Sequence, residues 1–280
     1  MSGIISIALA LVTGAGALAQ SPTPVKINFA AVVGGRPFAC GQKYDGIGTT
    51  KSTITVSDFR FFVSGVSLVS KSGATVPVAL TQDGKWQNGS VALIDFEDGT
   101  ATCSNGTPDT NTVIAGSVPP GDYAGVTFDI GLPFEVNHKD PTTAPSPLNL
   151  SRLFWNWNAG YKFARIDMKS TGMPQGWVLH LGSTACRPDN GPTWVPTTCA
   201  NENKPSITLM PFDAATQVVQ FDLAAMLATS NVDVNTKDTA GGCMSTPNDP
   251  ECGPIFAALG LPFGTAKASP QTVVSAVARR

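Results

Sequence analysis

The apolar residues of this chain recur at every second position over short runs, the spacing that places them on one face of a β-strand. Alternating or β-branched runs mark strands at Pro24–Ala30, Thr53–Val69, Val76–Leu80, Val91–Phe96, Gly121–Ile130, Tyr161–Met168 and Trp177–Leu181. In the last of these, Val178 and His180 point to one face and Trp177 and Leu179 to the other. Ile207–Met210 and Val218–Phe221 are expected to form a hairpin. Helical spacing is confined to Leu148–Trp157, where Leu153 and Trp157 would share a face, and to a short turn through Leu223, Met226 and Leu227. With 28 glycines and 22 prolines cutting the runs short, long helices are disfavoured. The predicted architecture is mainly β: one antiparallel, sandwich-like domain over residues 20–280, with long disulfide-tied loops and a few short helices. No internal repeat or change of composition calls for a second domain.

Residues 1–19 change the setting of that domain. They form an apolar stretch ending in Ala17-Leu18-Ala19, the small-x-small pattern of a cleaved signal peptide. The apolar core from Ile4 to Val12 is too short to cross a bilayer, although no Lys or Arg precedes it as a signal peptide's usually does. Export to the periplasm or the medium is therefore expected, with no stable membrane insertion after cleavage. In an oxidising compartment the six cysteines should pair, and none sits in a C-x-x-C arrangement that would suggest a zinc ribbon or redox centre. Fifteen connectivities are open to six cysteines. The economical one joins chain neighbours: Cys40 with Cys103, Cys186 with Cys199, Cys243 with Cys252. The segment from Gly241 through Leu261 should then pack as a disulfide-tied cap.

Charge excludes some partners. The net charge is −2 and no basic run occurs, so nucleic acid is not an expected ligand. Asp58 and Arg60 inside a strand imply a sheet edge or a local ion pair. Asp95, Glu97 and Asp98 lack the D-x-D-x-D-G spacing of a calcium loop and are expected to be a solvated strand end. Lys162 and Arg165 suggest a solvated strand face, or pairing with Asp167.

Candidate chemistry concentrates between Asn137 and Asp167, which holds His138 and a W-x-W pair, Trp155 and Trp157. No G-x-S-x-G elbow, phosphate loop or dinucleotide fingerprint is present, so the chain is not expected to be an enzyme. With two histidines in all, His138 and His180 are the one possible imidazole pair. Two imidazoles make a weak zinc site but a reasonable start for Cu(I). Met168 or Met173, a water, or a nitrogen made by modifying a tryptophan would complete the shell. An intact indole N–H donates a hydrogen bond but offers no lone pair, whereas kynurenine presents an aryl amine and a carbonyl.

The motifs CGQKYDGIGTT, SDFRFFVSGVSLV, KWQNGSVALIDFEDGTATC, FDIGLPFEVNHKD, SPLNLSRLFWNWNAGYKFARID, HLGSTAC and GCMSTPNDPEC together resemble the MbnP family, the metallo-mystery pair proteins with a four-cysteine motif. The resemblance runs from about Val25 to Phe263. It implies a protein that binds one copper ion for acquisition, storage or delivery. It also implies a partner, the dihaem MauG-like oxidase MbnH, which converts a tryptophan to kynurenine. By analogy with the related MopE and CorA, the ligands would be His138, His180 and one oxidised tryptophan: Trp155 or Trp157, with Trp86 third. In MopE the modified residue precedes a histidine by two positions, and no W-x-H occurs here. Trp177 lies three before His180, on the opposite strand face, and is expected in the core. The competing reading is a β-sandwich adhesion module for carbohydrate or protein ligands, with structural histidines.

Overall fold

The structure, a computed structural model, describes residues 20–156, 159–188 and 195–279. The leader assigned to residues 1–19 lies outside these described residues, and no helix within them is long and apolar enough to cross a membrane. The sheet that carries the candidate site is built on the 19-residue strand Ser52–Ser70. One edge of it pairs with Ala164–Ser170 and then with Tyr123–Ile130; the other pairs in turn with Lys43–Ile47, Val91–Asp95 and Thr75–Pro77. From that first edge the sheet continues past Tyr123–Ile130 to Ser206–Leu209, and past Ala164–Ser170 to Trp177–Leu181 and Gly242–Cys243.

A second, six-stranded sheet runs Val274–Ala278, Gln217–Asp222, Thr23–Val33, Val113–Val118, Ala79–Leu80, with Arg36–Pro37 beside Thr23–Val33. Thr23–Val33 with Gln217–Asp222 and Trp177–Leu181 with Gly242–Cys243 are parallel; the other pairs are antiparallel. Between the sheets, aromatic rings close the core: Phe29 meets Phe61 and Phe128 edge-on, and Phe59 meets Phe221 at 5.4 Å. Edge-to-face pairs of this kind add about 0.5–1.5 kcal/mol beyond burial.

Ser52–Ser70 alternates buried and half-buried residues at its start, then is buried at every position from Asp58 to Ser64. Both faces are covered there. Phe59 and Phe61 enter the sandwich core, while Phe62, on the other face, packs its ring on Tyr161 at 5.8 Å. That second face is roofed by the chain from Gly131 to Asn156 and by Tyr161, so the alternation expected of a half-exposed strand disappears.

Three local expectations change. The helix expected over Leu148–Trp157 does not form in its described part, Leu148–Asn156: a single 3-10 turn at Ser151–Leu153 runs into the strand Phe154–Asn156, which pairs with Gly160–Tyr161. Asn156 Oδ1 accepts from Ala159 N at 2.9 Å, and Gly160 supplies a φ of 77°. These turn the chain back before a second helical turn forms. Phe154 gains an edge-on contact with Tyr161 at 4.9 Å by doing so.

The expected hairpin of Ile207–Met210 and Val218–Phe221 is also absent. Ser206–Leu209 pairs with Tyr123–Ile130, whereas Gln217–Asp222 belongs to the other sheet. Asp213 does make a tight turn, accepting from Thr216 Oγ1 and Ala215 N, but that turn crosses between layers. Period-two spacing identifies strands and says nothing of their partners.

The acidic cluster is no solvated strand end. Asp95 and Glu97 are buried, and Arg60 supplies their countercharge. Burial, reinforced by Glu97 and Asp58 and opposed by Arg60, pushes Asp95 up to about 8. The Glu97 carboxyl is raised as well, by burial first. Its Oε1 lies 3.3 Å from Arg60 Nη1, close enough for an ion pair but not aligned for a hydrogen bond. Glu97 fits only because residue 106 is glycine, whose absent Cβ would stand 1.4 Å from Oε2.

The three disulfides are Cys40–Cys103, Cys186–Cys199 and Cys243–Cys252, the neighbour pairing. Cys243–Cys252 ties the edge strand Gly242–Cys243 to the helix Cys252–Ala258, whose Ile255 and Phe256 enter the core as the expected cap. The short helix Leu223–Met226 also forms, with Asp222 capping its first turn through Ala224 N at 2.9 Å.

Candidate metal centre

His180 sits where a regular strand meets the roofing loop. On Trp177–Leu181, Trp177 and Leu179 are fully buried in the core, so His180 projects from the opposite face. It stands opposite Arg165 in the neighbouring strand, and its Nε2 is 2.7 Å from Asp167 Oδ1. A carboxylate there holds the proton on Nε2 and leaves the Nδ1 lone pair exposed to whatever lies beyond. Among the described residues, Nδ1 is buried and has no hydrogen-bond partner. A neutral imidazole nitrogen in that state is fitted to receive a metal ion.

Behind Asp167 a line of alternating charges runs into the fold. Arg165 Nε donates to Asp167 Oδ2 at 2.8 Å and pairs with Asp58 at 3.2 Å; Asp58 binds Arg60 through Oδ1 at 2.9 Å, and Arg60 reaches Glu97. Burial alone would raise the Asp167 carboxyl, but hydrogen bonds and charge from His180 and Arg165 outweigh it and hold it below its usual range. Asp58 and Arg60 thus form a local ion pair, buried at the sheet's centre and not at an edge. Arg165 pairs with Asp167, the second of the two alternatives for it. Lys162, expected on a solvated face, is instead buried: its Nζ donates to Arg152 O at 2.9 Å. Desolvation, then Arg165, lowers its pKa to about 8.

His138 has a different setting. It ends the one-turn helix Phe134–Asn137, half-buried, with its ring 5.1 Å from Phe134. Its Nε2 lies 3.4 Å from Asn137 Nδ2 and 3.5 Å from Cys199 Sγ. Asn137 is itself fixed, because Oδ1 accepts from Tyr161 N at 2.9 Å and a Cβ at residue 160 would collide with its carbonyl.

Trp155 is the residue the two histidines have in common. Its ring meets the His180 ring at 6.4 Å between centroids, and with His138 it lines an open cavity of about 670 Å³. Asp140, Phe154 and Val195 complete much of that wall. Gly182 makes the seat: a Cβ there would stand 2.5 Å from Trp155 Cζ3 and 2.9 Å from Tyr161 O.

Other candidates separate from this group. Trp157 lies outside the described residues. Trp86 packs on the core with the Lys85 ammonium 5.0 Å over its ring. Trp177 is fully buried, as expected. Met168 is buried on the core face of its strand, opposite to Asp167 and Arg165, which removes it as a partner for His180. Met173 lies in the turn beyond the Met168–Trp177 pair, which is itself roughly 10 Å along the strands from the Arg165–His180 pair.

By distance alone, His138, Cys186 and Cys199 form a cluster, their ligand atoms lying within 4.8 Å of one another. The sulfurs are joined as a disulfide, which offers no thiolate, so in this state the cluster is not a metal site. Sequence reasoning missed Asp167 as the partner of His180 and Gly182 as the seat of Trp155. The first left a trace, since Arg165 and Asp167 are two apart and must share a strand face; the second left none.

A family model described as MbnP matches residues 22–245. A search of curated proteins found no match. Among solved structures, MbnP from Methylosinus trichosporium superposes with a TM-score of 0.82 at 32% identity, covering 93% of this chain and 100% of that one. The family model takes in most of the sandwich together with His138, Trp155, Asp167 and His180, and the chain belongs to the MbnP family.

Proposed function

We propose that this is an exported, non-enzymatic protein that binds one copper ion through His138, His180 and a group made by oxidising Trp155, for copper acquisition, storage or delivery. The observation that carries the reading is the position of Trp155, against the His180 ring and in the same cavity wall as His138. The buried Nδ1 of His180 is the second support, because a buried nitrogen without a partner is costly unless something binds it. The family resemblance supports copper as the ion, since two imidazoles suit Cu(I).

Of the tryptophan candidates, Trp155 is the one this reading takes as modified. Its half-buried ring lines an open cavity, so an electron can leave it toward a partner docked at the surface. The expected partner is the dihaem oxidase MbnH. Opening the indole would turn a hydrogen-bond donor into an aryl amine and a carbonyl, both with lone pairs, beside His180. His180 would bind through Nδ1 with Asp167 holding its tautomer.

The test is coexpression with the dihaem oxidase, followed by peptide mass and copper titration. The Trp155 peptide should show a net gain of one oxygen and loss of one carbon. His138→Ala, His180→Ala and Trp155→Phe should each lose most copper binding. Full binding by both histidine variants would refute the site; an unmodified Trp155 with tight binding would remove only the oxidation.

A further inference from the structure

We infer that opening the Cys186–Cys199 disulfide converts the His138 loop into a second metal site, in which two thiolates and the His138 imidazole take a soft or borderline cation such as Zn²⁺. Three observations carry this. The ligand atoms of His138, Cys186 and Cys199 lie within 4.8 Å of one another. His138 Nε2 is 3.5 Å from Cys199 Sγ. For a tetrahedral ion with metal–sulfur bonds near 2.3 Å and metal–nitrogen bonds near 2.05 Å, the nitrogen–sulfur edge is about 3.6 Å. That edge is already set, and the two sulfurs need only part to an edge of about 3.8 Å.

The hairpin keeps the thiols placed when the bond opens. Cys186 and Cys199 are directly opposite in the pairing of Thr184–Arg187 with Thr198–Asn201, so their side chains share a face whether bonded or not. Cys199 also lines a cavity of about 370 Å³ with Glu202 and Glu135, and His138 lines the larger one beside Trp155. An ion can enter from either, and water can occupy the fourth position.

Selectivity follows from burial. Cys103, Cys243 and Cys252 are 0–1% exposed, so the other two disulfides each keep a sulfur in the core. Cys186 and Cys199 are both half-buried and open to a reductant. A dithiol reductant supplies the two electrons: its thiolate attacks one sulfur, and its second thiol then displaces the mixed disulfide. The reductant leaves as a disulfide and the protein gains two thiols, whose protons are released when the cation binds. The inference needs neither His180 nor Trp155, but it shares His138 with the copper reading, so the two sites compete for that imidazole.

The experiment uses the full mature chain, reduced with limiting dithiothreitol that is then removed without oxygen. Thiols are mapped by alkylation and peptide mass, and Zn²⁺ alone is titrated, with Co²⁺ as the spectroscopic probe. Cys186 and Cys199 should be the first thiols to appear. The reduced chain should bind one Zn²⁺ that the oxidised chain does not, and Co²⁺ should show thiolate charge-transfer absorption. His138→Ala should weaken Zn²⁺ at least about tenfold, since even outer-shell partners of zinc ligands cost that much. Cys186→Ser with Cys199→Ser should abolish the charge-transfer band, while His180→Ala should leave it unchanged. His138→Gln keeps the side-chain volume if alanine disturbs the loop. Another disulfide opening first, no added Zn²⁺ after opening, or equal affinity with and without His138 would each overturn the inference.

Discussion

The two histidines stand in contrasting surroundings. His180 is carried by a regular strand, is nearly buried, and is tied through Asp167 to a charge line that ends at Glu97 in the fold's interior. His138 caps the C-terminus of a one-turn helix, is half-buried, and touches a disulfide hairpin and Phe134. One imidazole is fixed by a strand and a carboxylate; the other sits beyond a one-turn helix, against Phe134 and Cys199. In the site proposed above, such a pairing would give one rigid half that sets geometry and one more adjustable half.

The largest effect should come from the root of the rigid half. Arg60 is buried among Asp58, Asp95 and Glu97, so Arg60→Ala strands carboxylates in the interior. Breaking a buried pair this way costs about 3–5 kcal/mol, measurable by urea denaturation. A loss under about 1 kcal/mol would show that the charge line is not structural.

Next is a pH effect from the same cluster. Asp95 titrates near 8 in the folded protein and near its ordinary 3.8 when unfolded. The fold therefore binds a proton that the unfolded chain has released between these values, and stability falls as pH rises through that window. The contribution is fully present below about pH 4 and is lost as pH passes about 8. Asp95→Asn cannot ionise, so between pH 5 and pH 9 it should gain about 2 kcal/mol or more relative to the wild type. Parallel stability profiles for the two proteins would contradict this environment for Asp95.

The smallest effect is the most direct contrast of the two histidines. His180→Ala removes one of two partners of the half-buried Asp167 carboxylate and should cost about 1–3 kcal/mol without metal. His138→Ala should cost no more than about 1 kcal/mol, since the ring is half-buried on a loop. Equal losses would mean that the loop is as rigid as the strand.

Much of the sandwich was legible because period-two spacing is a local property, and so was the fully buried core position of Trp177. What failed depended on distant partners. The burial of Asp95 and Glu97 follows from Arg60, some 35 residues earlier, and nothing near residue 95 reveals it. Gln217–Asp222 left its expected hairpin because Thr23–Val33 and Val274–Ala278 both pair with it. The site divides the same way. Both histidines and Trp155 stand out as rare residues, but the fit of Trp155 over Gly182 is a long-range contact with no sequence signature.

Crystals grown from copper-loaded protein, with diffraction recorded at the copper absorption edge, test the shared site most directly. One anomalous peak should lie about 2 Å from a nitrogen of His138 and from Nδ1 of His180, against the side chain at position 155. A peak bound to only one histidine, or located elsewhere on the sandwich, would contradict it.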